Sequence, residues 1–139
     1  MFDNIYATGG RRFVLMNEAP LQFSPMYAAV ANGGAGDNQY WQNKTLYNQT
    51  EMQNKMMEYT KTTNLMFDYG VPYNVVEKKR WPGASVTIFN VNGLLTDLHN
   101  TPAQFFGPQA NVTGFFHHCV PSNNSQCEDS AQPASTFLW

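Results

Sequence analysis

Phe13-Val14-Leu15-Met16-Asn17-Glu18-Ala19-Pro20 decides how the rest of the chain is read. Four apolar residues without a polar break, with Gly9-Gly10 before them and Pro20 after, fit a strand buried on both faces. Ser85-Val86-Thr87-Ile88-Phe89-Asn90-Val91 reads as a second strand, set off by the turn Trp81-Pro82-Gly83. Between them Met52, Met56, Tyr59, Thr63 and Met66 recur at helical steps and predict a helix with that stripe toward a core. Asn48 and Glu51 stand at capping-box spacing at its start, and Gly70 and Pro72 are expected to end it, Pro72 opening a short second helix through Lys79. A strand, a crossover helix and a second strand predict a parallel pair in an α/β fold. Parallel sheets are covered on both faces and have more than two strands, so further strands are expected outside these residues.

Outward from this unit, Tyr6-Ala7-Thr8-Gly9-Gly10 reads as a helix end with glycine past it. Leu21 to Tyr47 is a long irregular excursion, the kind of segment that forms binding or lid loops. Asn92-Gly93 is expected to open a helix through His99, and Thr101-Pro102 a second one closed by Gly107. The remainder reads as a loop holding Cys119 and Cys127, which form a disulfide in an oxidising compartment or stay as two thiols in a reducing one. His117-His118 beside Cys119 is not read as a metal site, because consecutive side chains diverge and no second ligand cluster exists.

The chain has 139 residues, 42% hydrophobic, 14% aromatic and only 13% charged, with a formal net charge of −2. That is ample for a packed core and leaves no basic field for nucleic acid or anionic lipid. No apolar run approaches the roughly 20 residues a membrane span needs. No cofactor motif stands out. Four N-glycosylation triplets begin at Asn43, Asn48, Asn111 and Asn123. They point to a secreted, extracellular protein, yet Met1-Phe2-Asp3-Asn4-Ile5-Tyr6 does not read as a signal peptide. With Phe137-Leu138-Trp139 at the other end, the expectation is a portion of a longer protein.

Ligands of open parallel sheets gather beyond the C-terminal ends of the strands. Asn17 there could donate to a substrate oxygen and Glu18 could serve as acid or base; the plainer alternative is that both hold loops. No nucleophile is evident. Gly83-Ala84-Ser85-Val86-Thr87 lacks the last glycine of a nucleophile elbow, and its serine enters a strand rather than leaving one. Asp97 and His99, two apart on a helix, face different ways.

Tyr6 through Pro20, Trp81-Pro82-Gly83-Ala84, Val91-Asn92-Gly93-Leu94-Leu95-Thr96-Asp97, Pro102-Ala103-Gln104-Phe105-Phe106-Gly107 and Phe137-Leu138-Trp139 together resemble the later half of secreted fungal GDSL-type (SGNH) ester hydrolases. The nearest likeness is to carbohydrate esterase family sixteen, acetylesterases of acetylated plant carbohydrate. The resemblance implies a three-layer α/β/α, flavodoxin-like sandwich, of which residues 1–139 are the incomplete C-terminal portion with the last two parallel strands. It also implies a Gly-Asp-Ser nucleophile block, oxyanion donors including a glycine and an asparagine, and an Asp-x-x-His; none of these blocks occurs in this sequence. No residue therefore inherits a catalytic role, and the chain alone is expected to be inactive. What it offers is cleft wall, with Asn17, Glu18, Pro20, Tyr40 and Trp41 as candidates and an acetylated carbohydrate or other small ester as the partner of the whole protein. The alternative is a non-catalytic extracellular carbohydrate-binding or structural module, suggested by Tyr40, Trp41 and Trp81.

Overall fold

The computed structural model describes residues 1–120 and 123–139, and the side chains of His118, Val120 and 123–126 lie outside the description. Helix α1 (Phe2–Ala7) closes at Thr8, and Gly9 takes the left-handed conformation at φ +100° that turns the chain into β1 (Arg12–Met16). A 24-residue helix α2 (Gln49–Pro72) follows the excursion, then β2 (Ser85–Phe89), α3 (Val91–Asn100), the short α4 (Pro102–Phe105) and a hairpin of β3 (His117–Val120) and β4 (Asn123–Asp129). β1 and β2 pair in parallel, Phe13 beside Val86 and Met16 beside Phe89, so the chain is α/β as its alternating elements predict.

Side chains alternate across this pair. Phe13, 6% exposed, packs in an aromatic cluster with Phe2 and Trp81, whose ring centroids lie 5.1 and 6.3 Å from its own. On the opposite face Val14 and Met16 are 68% and 65% exposed and Phe89 is 48% exposed. Parallel sheets are ordinarily covered on both faces, and here one apolar face is bare. Lysines placed there should be nearly neutral: the double variant Val14→Lys, Phe89→Lys is expected to shift unfolding free energy by no more than about 0.5 kcal/mol per site and to reduce self-association in sedimentation. A loss of several kcal/mol would mean that this face is covered in solution.

The methionine stripe sets the rotation of α2 only in part. Met52, Met56 and Thr63 are half-buried, but Tyr59 and Met66 are 60% and 68% exposed, whereas Thr60 is buried. The helix docks through amides as well. Gln49 Oε1 accepts from Val30 N at 2.9 Å, Gln53 Nε2 donates to Gln22 O at 2.9 Å, and Asn64 exchanges two bonds with the Glu18 backbone at 2.7 and 3.1 Å. These bonds satisfy peptide groups of the excursion and of Glu18 before it, where the regular structure is three 3₁₀ turns, at Leu21–Phe23, Val30–Asn32 and Lys44–Leu46, and a lone antiparallel bridge between Asn38 and Trp41. Asn48 caps α2 as expected by accepting from Glu51 N at 3.1 Å, while the Glu51 carboxylate pairs with Lys55 at 2.6 Å rather than returning to the cap.

Gly70 does not stop α2. The helix runs through it to Pro72, as expected, and there passes into a short π-helical turn over Tyr73–Glu77, where Asn74 Nδ2 donates to the Gly70 carbonyl at 2.8 Å. Arg80 then reaches Asp3 with Nη2 at 2.6 Å, and Trp81 Nε1 donates to the same carboxylate at 2.8 Å. Hydrogen bonds from Arg80, then from Trp81, hold the Asp3 carboxyl below its usual range. A carboxylate with a depressed folded pKa stabilises above its ordinary pKa and loses that contribution as pH falls through the folded value. Trp81 fluorescence should therefore change on acidification, and Asp3→Asn should flatten that response.

The region read as a loop around the cysteines is a hairpin. Cys119 and Cys127 are directly opposed in its register and disulfide-bonded. Its polar Asn, Ser, Gln and Glu residues have little strand propensity, so the pairing is carried by the crosslink and the ladder.

Candidate functional site

Both strands of the parallel pair end on asparagine. Asn90 ends β2 two residues earlier than the apolar pattern implies, because its Oδ1 accepts from Gly93 N at 2.9 Å and so starts α3. Asn17 Nδ2 donates to the same Asn90 Oδ1 at 2.9 Å, and Asn17 Oδ1 accepts from Asn92 N at 2.9 Å. Asn92 Nδ2 in turn donates to the Glu18 carbonyl at 3.1 Å. These bonds consume the first amide groups of α3, so its N-terminus is capped by protein rather than open to an anion. Asn17, Asn64, Asn90 and Asn92 surround a cavity of about 360 Å³, with Lys61 and Asp68 of α2 at its wall.

The strand-end expectation thus places Asn17 in a cavity wall and also gives it the loop-holding role. Only one hydrogen of its amide is used within the described residues, which leaves the other for a ligand oxygen. The half-buried Glu18 is held through its backbone, with a carboxylate that makes no hydrogen bond among the described residues. Pro20 is fully buried and presents no surface to a ligand.

Tyr40 and Trp41 lie elsewhere. Tyr40, 77% exposed, lines a second cavity of about 230 Å³ together with Ser24, Pro25, Asn38, Gln39, His117 and Trp139. Trp41 is half-buried between Tyr27 and Tyr47, with ring centroids at 6.5 and 6.1 Å. The wall of this second cavity is fixed by a lysine that no sequence motif singles out. Lys44 is 1% exposed and its ammonium donates to the carbonyls of Ala35, Ala28 and Pro25 at 2.6, 2.7 and 3.2 Å. Burial draws its pKa below the ordinary lysine value, and three carbonyl acceptors oppose that pull by favouring the charged form. Beside it, Thr45 donates from N and Oγ1 to Asp37 at 2.9 and 2.8 Å, which holds that carboxyl below its usual range.

The hairpin brings His117 and Asp129 together, Nδ1 to Oδ1 at 2.6 Å, a pair that residues 12 apart did not announce. Register alone could have found it, since the two are directly opposed across β3 and β4. His117 Nε2 faces Cys119 Sγ at 3.4 Å. A histidine oriented by a carboxylate is half of an acyl-transfer relay, but among the described residues no serine hydroxyl bonds to it; Ser24 Oγ donates to the Leu21 carbonyl instead. His117, Cys119 and Cys127 also lie close enough to share an ion, yet both sulfurs are spent in the disulfide and offer no thiolate. His118 falls outside the described side chains. His99 stacks on Phe23 at 4.1 Å and has no part with Asp97, whose carbonyl accepts from Thr101 Oγ1.

Of the glycosylation triplets, Asn43 is exposed and Asn48 is the α2 cap. Asn111 accepts from Gly114 N at 2.7 Å, and the Asn123 side chain lies outside the description.

No protein-family model matches the chain. Over all 139 residues it is 46% identical to a protein of Hypocrea jecorina named acetylesterase, and it spans 40% of that relative's length. No helix among the described residues is long and apolar enough to cross a membrane.

Proposed function

We infer that these residues are the C-terminal portion of a secreted carboxylic ester hydrolase, an SGNH-type acetylesterase acting on acetylated plant carbohydrate. The observation that carries this is the 46% identity to an acetylesterase along the whole chain. The α/β pair with a polar cavity beyond its strand ends supports it, since that is where such folds place their chemistry. The disulfide and the exposed Asn43 support an oxidising, glycosylating route out of the cell.

In acyl transfer a serine attacks the ester carbonyl, a histidine takes its proton, and fixed donors stabilise the oxyanion. This chain has no Gly-Asp-Ser and no Asp-x-x-His. Its contribution is the wall of the cleft, with Asn17 offering a free amide hydrogen. The chain alone is therefore inactive, and the test is to supply the missing blocks. Set into the Hypocrea jecorina acetylesterase in place of the aligned 40% of its length, these residues should support acetyl-ester hydrolysis.

A further inference from the structure

The cavity beside Tyr40 is separate from the strand-end cavity, and the geometry points to it as a binding site for one neutral sugar ring. The choice of a sugar rests on the reading of the whole protein as a carbohydrate esterase; the site itself rests on its own construction. Tyr40 and Trp139 supply aromatic surface, while the Gln39 amide and the Tyr40 hydroxyl supply hydrogen-bonding groups, and among the described residues no carboxylate or ammonium lines the space. That mixture suits a pyranose, whose C–H face packs on an aromatic ring while its hydroxyls turn to the Gln39 amide and the Tyr40 phenol. A volume of about 230 Å³ falls below the roughly 300–1,000 Å³ that larger ligands fill, so it admits a single ring.

The site is also held in place before any ligand arrives. Trp139 Nε1 donates to the Val112 carbonyl at 2.9 Å, which fixes the indole. Asn38 Oδ1 accepts from the backbone of Tyr40 at 3.0 Å and of Trp41 at 3.1 Å, which fixes the turn carrying Tyr40. Asp129 orients His117, and the Lys44 ammonium ties together Pro25 and Ala35 of the opposite wall. Tyr40 OH and the Gln39 amide make no hydrogen bond to the described residues, so both remain available. A wall ordered by its own bonds reduces the ordering cost of binding.

The test is saturation-transfer NMR and tryptophan fluorescence on the 139-residue chain, with methyl β-xyloside and methyl β-glucoside as probes. One of them should bind with a Kd on the order of 1 mM, as befits a small polar ligand, and Trp139→Ala and Tyr40→Ala should each weaken it at least about tenfold. Tyr59→Ala, on the exposed side of α2, should leave it unchanged. Three results would overturn the site: no saturable binding, binding that survives Trp139→Ala, or a purified chain that does not form Cys119–Cys127, since Cys119 is part of the wall. Acetyl release is not measured here, so failure of the esterase reading would register separately.

Discussion

Purified alone, the chain should release acetate from 4-nitrophenyl acetate no faster than buffer does, while the exchanged Hypocrea jecorina acetylesterase carrying these residues should hydrolyse it. The expected contrast is large because the sequence holds neither a Gly-Asp-Ser nor an Asp-x-x-His, and enzymes exceed the uncatalysed rate by about 10⁶-fold or more. His117 and Asp129 do not rescue it, since no described serine lies in hydrogen-bond reach of the imidazole. Acetyl release by the isolated chain would sink the reading from one side. A folded but inactive exchange protein would sink it from the other, because 46% identity spread over the whole segment ought to preserve its packing against the remaining 60%.

Lys44→Met should destabilise the chain by about 2–4 kcal/mol in urea melts. The substitution keeps an unbranched apolar side chain as far as Cε and removes the ammonium. Ala28 and Ala35 are then left with buried carbonyls lacking a donor, at about 1–3 kcal/mol each. The Pro25 carbonyl retains a bond from Ala35 N at 2.7 Å, so it adds little. Relief of the buried charge offsets part of the loss. Against the 5–15 kcal/mol typical of whole domains the remainder is large. A change below about 0.5 kcal/mol would show that water already reaches these carbonyls.

The parallel pair was legible because the uninterrupted apolar run Phe13–Met16 and the β-branched and aromatic residues of Ser85–Phe89 leave few alternatives, and the capping role of Asn48 because its spacing to Glu51 is local. The rotation of α2 was legible only in part. A pattern of methionines records which residues are apolar, not that Gln49, Gln53 and Asn64 satisfy the backbone of a loop. Lys44 was hidden for the same reason: its acceptors at Pro25, Ala28 and Ala35 are peptide carbonyls, which carry no residue signature. At the candidate cleft, sequence reasoning placed Asn17 beside the strand ends but could not separate Tyr40 from it or see that Pro20 is buried, since both depend on how the excursion folds back.

The pairing of β1 with β2 has a consequence for synthesis. Arg12 lies beside Ser85, so the first strand leaves the ribosome long before its partner exists, and at about 5–20 residues per second the delay is some 4–15 s. The crossover helix can form within microseconds of emerging, but the strands must wait for the closing of a long loop. For those seconds Val14 and Met16 have no neighbour to sit beside, and the unpaired apolar run is open to contacts that the folded pair would exclude.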